Sequence, residues 1–241
     1  MAETRRATFL PVLAELVFPG RCLGCGEWLS GAEHLAVPVC TACLAALPAF
    51  REPRCARCGI ELISERSTCL RCREVEHRFS RHRSLLPYTG MAKCLLQALK
   101  FQGRRRLAVF FASLAARELD QALGRDAQGI VVVPVPPRPG RREPDAVARV
   151  ASHLAAAHGF CVRPLLIRTV RTPQKTLGYE QRKANLRGGI RVDPHRAGEV
   201  PPRVVLLDDV FTTGATVDAC AQALLDAGCL RVDALTLVME E

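Results

Sequence analysis

Apolar positions change period several times along this chain of 241 residues, and each change marks an element. Phe9, Leu10, Leu13, Leu16 and Val17 recur at helical spacing, interrupted by Pro11 and Glu15, and predict a short amphipathic helix within residues 1–20. Residues 83–89 read as a strand, and residues 91–99 as a short helix ending in Lys100. Leu107, Phe110, Phe111, Leu114, Ala115 and Leu119 share one face of a longer helix from Arg104 to Leu123. The run VVVPVPP from Val131 is stopped by prolines and precedes a helical stretch from Asp145 to His158, the signature of a βαβ unit. Further strands are expected near Cys161 to Ile167, from Arg203 to Leu207 and from Asp233 to Val238. A helix from Ala215 to Leu225 should end before Gly228. Strands alternating with helices over residues 83–241 predict a doubly wound α/β domain with a mainly parallel sheet.

The amino-terminal third has no such alternation and is patterned by cysteine instead. Eight of the twelve cysteines fall before residue 73, each in a CxxC pair: Cys22 with Cys25, Cys40 with Cys43, Cys55 with Cys58, and Cys69 with Cys72. A CxxC knuckle presents two sulfurs to one ion, and a short spacer brings a second knuckle back to complete a tetrahedron, so residues 21–73 predict a double zinc ribbon with two structural Zn2+ sites. Sequential pairing closes the shorter loops, although pairing across the two ribbons satisfies the same chemistry. Little apolar sequence lies between the knuckles, so the metal would supply much of the folding free energy. His34 and His77 are expected to be exposed loop residues, and the charged, turn-like residues 74–82 a linker. Cys94, Cys161, Cys220 and Cys229 stand near no recognisable nucleophile motif and are expected to be small core residues.

Charge changes the picture in one place. Lys and Arg number 34 against 24 Asp and Glu, a net charge of +10, and most of the surplus lies in residues 91–150. That region is either a solvated basic surface or a face for phosphate or nucleic acid. No apolar stretch approaches the length of a membrane helix, and no secretory signal is visible. The expectation is a protein with no membrane span, its thiols kept reduced in the cytoplasm.

The sharpest chemistry lies in VVLLDDVFTTGATV, residues 204–217. A run of branched apolar residues ends at Asp208 and Asp209, which places two acceptor-only groups at the carboxyl end of a buried strand, where open α/β sheets bind ligands. Thr212, Thr213, Gly214, Ala215 and Thr216 then offer backbone N–H groups, hydroxyls and a helix amino terminus, a combination that attracts phosphate. A ligand carrying a diol and a phosphate fits both halves. The string resembles the phosphoribosyl diphosphate signature of type I phosphoribosyltransferases, and that resemblance implies that the acidic doublet holds the ribose hydroxyls and that residues 212–216 cradle the 5-phosphate.

The ordered set of motifs resembles the ComF family of competence-associated, phosphoribosyltransferase-like proteins. It comprises LVFPGRCLGCG, the knuckles, ALKFQG, VVPVPP with its following arginines, TPQKTLGYEQRKANL and LLDDVFTTGAT, and it covers nearly the whole chain. The resemblance implies a diphosphate loop at Arg138, Arg141 and Arg142, whose planar guanidinium forks suit phosphate oxygens. It also implies a closing loop over residues 171–187, with Lys175 and Arg182 screening the departing diphosphate. Lys100 either joins the phosphate site or complements the dipole of its own helix. Mg2+ would accompany phosphoribosyl diphosphate, with transfer to a nitrogen acceptor as the reaction. Glu143 and Pro144 depart from the family pattern, since proline lacks an N–H and glutamate repels diphosphate. They favour an alternative, a non-catalytic sensor of phosphoribosyl diphosphate whose ribbons dock a partner. The family further implies a setting in DNA uptake, with single-stranded DNA or a DNA-uptake protein as partner.

Overall fold

Two similar knuckle-and-helix units precede the sheet in the computed structural model, which describes residues 20–29, 37–63, 67–102, 105–123, 130–138, 145–169 and 189–240. The helix expected within residues 1–20 lies outside them, apart from Gly20. In the first unit Cys22 N–H donates to Glu27 O (2.8 Å) and Gly26 N–H to Cys22 O (3.0 Å). The second unit repeats this, with Cys55 N–H donating to Ile60 O (2.8 Å) and Gly59 N–H to Cys55 O (2.9 Å). Each chain then returns through a short helix that starts after a cysteine: α1, Thr41–Ala45, after Cys40, and α2, Leu70–Glu74, after Cys69.

The rest of the chain forms β1 (Arg81–Pro87), α3 (Gly90–Phe101), α4 (Arg105–Leu123), β2 (Val131–Pro134), α5 (Ala146–His158), β3 (Cys161–Val162), β4 (Leu166–Arg168), β5 (Ile190–Val192), β6 (Arg203–Phe211), α6 (Ala215–Asp226) and β7 (Arg231–Met239). Five strands make one sheet in the order β1-β7-β6-β2-β3, and every neighbouring pair is parallel. This is the α/β architecture with a mainly parallel sheet that the alternation predicts.

Strand alternation separates two cores. Val205, Leu207, Leu235 and Leu237 face one side, where they pack with Leu95, Leu99, Phe111 and Leu154 of α3, α4 and α5. Val204, Leu206, Val232 and Ala234 face the other, packing with Val217, Cys220 and Leu224 of α6. Each fully buried Leu or Phe contributes roughly 1.5–3 kcal/mol. The ribbons divide between these faces: Cys22, Leu29 and Val39 join the first core, Cys55 and Cys58 the second.

Three differences from the expected elements have local causes. The strand anticipated over Cys161 to Ile167 splits, because Pro164 has no N–H for the ladder. Its first part pairs with β2, and its second, β4, turns away to pair antiparallel with β5. β6 continues four residues beyond Leu207, since β7 keeps pairing with it at Asp208, Val210 and Phe211. Residues 74–82, expected as a linker, carry fully buried Phe79 and nearly buried His77, so His77 is not the exposed residue its charged surroundings suggest.

The second ribbon also covers the open edge of β1, where His82 N–H donates to Arg57 O (2.7 Å). The approach is close enough to require glycine at position 59. Its φ is +76°, and a Cβ there would lie 2.9 Å from His82 O. Gly59→Ala should cost about 2 kcal/mol, combining left-handed strain with a backbone clash. Chemical denaturation of the zinc-loaded protein checks this, and an unchanged midpoint would contradict the seating described.

Candidate functional site

The cysteines gather into two clusters, Cys22–Cys25–Cys40–Cys43 and Cys55–Cys58–Cys69–Cys72, and within each the sulfurs lie within 4.8 Å of one another. Pairing is therefore sequential. Backbone N–H groups point at the sulfurs: Gly24 and Cys40 at Cys22 Sγ (both 3.3 Å), and Cys69 at Cys55 Sγ (3.4 Å). Burial disfavours the Cys22 thiolate, yet those N–H donors pull its pKa down to about 6. A hydrogen bond from Cys72 lowers Cys58 to about 5, against the effect of burial. Their partners move the other way, with Cys43 pushed up to about 12 by the Cys40 sulfur and by burial, and Cys72 pushed up by Cys58. Four thiolates in one place need a cation to ionise together, and the donor set and geometry are those of two structural zinc ions.

The second constellation stands at the carboxyl end of β6. The helix after β2 packs on one face of the sheet and the helix after β6 on the other, which makes the β2/β6 boundary the topological switch point. Asp208 and Asp209 lie there, inside the strand rather than after it. Because neighbouring side chains of a strand alternate, the two carboxylates diverge. Asp209 Oδ2 meets Lys100 Nζ at 2.6 Å, at the end of α3. Lys100 thus does more than complement its own helix dipole. Asp208 Oδ1 accepts the Asp209 N–H (2.8 Å) and lies within electrostatic reach of Cys220 and Arg168. Loss of water first, and the Asp209 charge second, raise the Asp208 pKa to about 7 despite the opposing pull of Lys100.

The bend after β6 is formed by Thr212, Thr213 and Gly214 and leads into α6 at Ala215. Gly214, the residue before α6, has φ +81° and no side chain with which to cap the helix, and the first helical N–H, of Ala215, donates to Thr213 Oγ1 at 3.4 Å. Among the described residues no side chain caps the other N–H groups of the first turn, and a helix amino terminus of this kind favours an anion. Thr212, Thr213 and Thr216 are partly exposed, while Gly214 and Ala215 are buried. Arg138 follows β2 and is exposed. Its charge, after the effect of burial, is what lowers the pKa of Arg168, while Asp208 acts in the opposite direction.

The structure therefore brings Lys100, Arg138, Asp208, Asp209 and the start of α6 to one end of the sheet. Arg141, Arg142, Glu143, Pro144, Lys175 and Arg182 lie outside the described residues. The base of the segment holding Lys175 and Arg182 is nonetheless defined, since β4 and β5 flank it and Thr169 N–H donates to Gly189 O (2.9 Å). Sequence reasoning missed Arg168. The available signal was its place at the last strand residue before that polar segment.

Two measurements follow. Metal analysis should find two zinc ions per chain, with one lost in a Cys72→Ser variant; a single ion in the parent would contradict the pairing. The raised pKa of Asp208 means that the folded state holds this proton more tightly than the unfolded chain, so stability should fall as pH rises from about 4 to about 7. Partial exposure tempers the effect to roughly 1 kcal/mol. Asp208→Asn should then melt about 2–4 °C above the parent at pH 7.5 and no higher at pH 4, as read by thermal denaturation.

Known proteins share this combination. The double zinc ribbon domain family matches residues 13–73. DNA utilization protein YhgH of Salmonella typhimurium is 28% identical over 227 residues, spanning 90% of this chain and 96% of its own length. DNA utilization protein YhgH of Escherichia coli is 26% identical over 233 residues, covering 90% of this chain and 96% of its own. Competence protein ComFC of Streptococcus pneumoniae is 26% identical over 202 residues, covering 83% of this chain and 87% of its own. Two four-cysteine clusters, a parallel α/β core and a likeness that runs through nearly the full length of these relatives support the ComF family as the one this chain resembles.

Proposed function

We propose that the chain binds phosphoribosyl diphosphate with Mg2+ at the β2/β6 switch point, transfers the phosphoribosyl group to a nitrogen acceptor, and serves DNA uptake. The observation that carries this reading is the convergence there of a carboxylate pair with an anion-binding helix start. Asp208 and Asp209 would accept hydrogen bonds from the ribose hydroxyls, and the N–H groups from Thr213 to Thr216 would hold the 5-phosphate. Lys100, Arg138 and Arg168 supply positive charge at the same end of the sheet, suited to a diphosphate. Mg2+, when bound, would neutralise charge on the diphosphate, with Asp208 and Asp209 as the carboxylates that would help to hold it. The Asp208–Asp209 repulsion supports a role for added positive charge beyond that of Lys100.

The residues present would orient the pentose so that its C1 faces the acceptor, and the carboxylates would stabilise positive charge developing on the ring. Arg138, joined by Arg141, Arg142, Lys175 and Arg182, would stabilise diphosphate as it leaves. The relatives' names, competence and DNA utilization, support the DNA-uptake setting. Ribbons carrying Arg51, Arg54, Arg57, Arg66, Arg71 and Arg73 suit an acidic partner such as single-stranded DNA or an uptake protein.

Glu143 and Pro144 favour a second reading, in which the same site senses phosphoribosyl diphosphate without turning it over. Calorimetry and diphosphate release separate the two. The parent should bind phosphoribosyl diphosphate with Mg2+, and the Asp208→Asn, Asp209→Asn double variant should bind it about 10- to 100-fold more weakly, given the worth of charge-assisted hydrogen bonds. Diphosphate released by the parent in the presence of a nitrogen acceptor supports transfer, whereas binding without release supports the sensor. No binding by the parent would sink both.

A further inference from the structure

The underside of the bend between β6 and α6 is built by the second cysteine ribbon and the segment that follows it. Gly214 lies directly on aromatic rings: a Cβ there would sit 3.0 Å from Phe211 Cζ and 3.3 Å from His77 Cε1. These rings form a continuous floor. His77 stacks on Phe79 (4.6 Å between centroids), Phe79 meets Phe211 edge-on (6.0 Å), and His82 stacks on Phe211 (3.9 Å). His77 Nδ1 donates to Asp218 Oδ2 at 2.8 Å, and the next N–H, of Arg78, donates to Asp218 Oδ1 at 2.7 Å. Both oxygens of the carboxylate in the first turn of α6 are therefore held by consecutive residues from the ribbon side.

Each knuckle of the second cluster reaches this floor or the bend itself. Arg57, between Cys55 and Cys58, donates from Nη2 to His77 O. Cys58 O lies 2.6 Å from His82 Nδ1. Arg71, between Cys69 and Cys72, donates from Nη1 to Thr212 O at 3.1 Å. The first ribbon instead packs on the other core, where Met91 of α3 closes over Gly24.

His77 also carries an anomaly. Its Nε2 is buried and has no hydrogen-bond partner among the described residues. A buried polar atom left without a partner destabilises the fold, which a ring placed for stability alone would avoid. We propose that His77 is a positioning residue for the bend at 212–214 and that, through His77, His82 and Arg71, the second cysteine cluster and not the first sets the bend's shape. The phosphate-binding consequence rests on the proposed sugar-phosphate site; the positioning itself does not.

Hydrogen exchange of the amides in residues 211–218, with calorimetry on phosphoribosyl diphosphate and Mg2+, tests this on zinc-loaded full-length protein. His77→Phe keeps a ring but removes the Nδ1 bond to Asp218 Oδ2, and it should speed exchange in that window about tenfold, as should Cys72→Ser. His77→Asn, whose amide places a donor where Nδ1 stood, should restore slow exchange. Cys43→Ser, in the first cluster, should leave the window unchanged. Affinity should fall about tenfold wherever exchange rises. If Cys72→Ser does not fold, His77→Phe and Arg71→Ala, with both clusters intact, read the same window. Unchanged exchange in His77→Phe would overturn the proposal, as would equal loosening by the two cysteine variants, or a loss of melting temperature with no selective change at 211–218. Exchange responding as expected in a protein that binds no phosphoribosyl diphosphate would uphold the positioning and refute the sugar-phosphate reading instead.

Discussion

Two neighbouring carboxylates at the end of a central buried strand are the constraint around which the molecule is arranged. A strand flanked on both sides leaves its last residues only partly reached by water, so Asp208 and Asp209 lean on protein partners for compensation. Alternation sends them to opposite faces and divides the task. Asp209 takes Lys100 from α3 on one side, and Asp208 is left among Cys220, Arg168 and its own neighbour's N–H on the other. The raised pKa of Asp208 and the lowered pKa of Arg168 share the same leading cause, removal of water. Under the proposed reading, this charged cluster and the helix start beside it are the two halves of one ligand site.

The same logic explains why the cysteine ribbons attach where they do. Neither ribbon has enough apolar sequence to fold around itself, and each lends its few buried residues to one of the two cores. The sheet gains cover in return. β1 is an edge strand, and the 55–58 knuckle hydrogen-bonds to it, so an edge otherwise open to pairing with another chain is closed by a loop that metal holds rigid. Ribbon and core are therefore parts of one packing problem.

How much of this was legible in the sequence follows from how local each feature is. Helices α3, α4, α5 and α6 follow from apolar periodicity almost to the residue, and sequential cysteine pairing follows from loop closure, because both are decided within about twenty residues. The acidic doublet and the threonine-glycine bend were legible as a string of residue types. What escaped was set by distant partners. His77 and Phe79 sit in a segment whose charge reads as a linker, and their burial comes from Gly214 and Phe211, more than a hundred residues away. Arg168 reads as one more cation until the break at Pro164 turns β4 away from the main sheet and the strand end is seen beside Asp208.

The position of the ribbons also bears on what a mobile function could share with a rigid one. An anion site made from a bend and a helix start works through backbone N–H groups, which cannot be tuned by changing a side chain; only the orientation of the bend can be adjusted. Orientation is fixed from beneath, and here the support is an aromatic floor with Asp218 clamped by two donors. Aromatic rings resist compression, and the clamp resists rotation of the first turn of α6. Both are anchored to backbone next to metal-binding sulfurs, the stiffest local structure that a small ribbon provides. Under the proposed sugar-phosphate reading, the bend would gain preorganisation from the second ribbon, which is packed beneath it rather than joined by a tether.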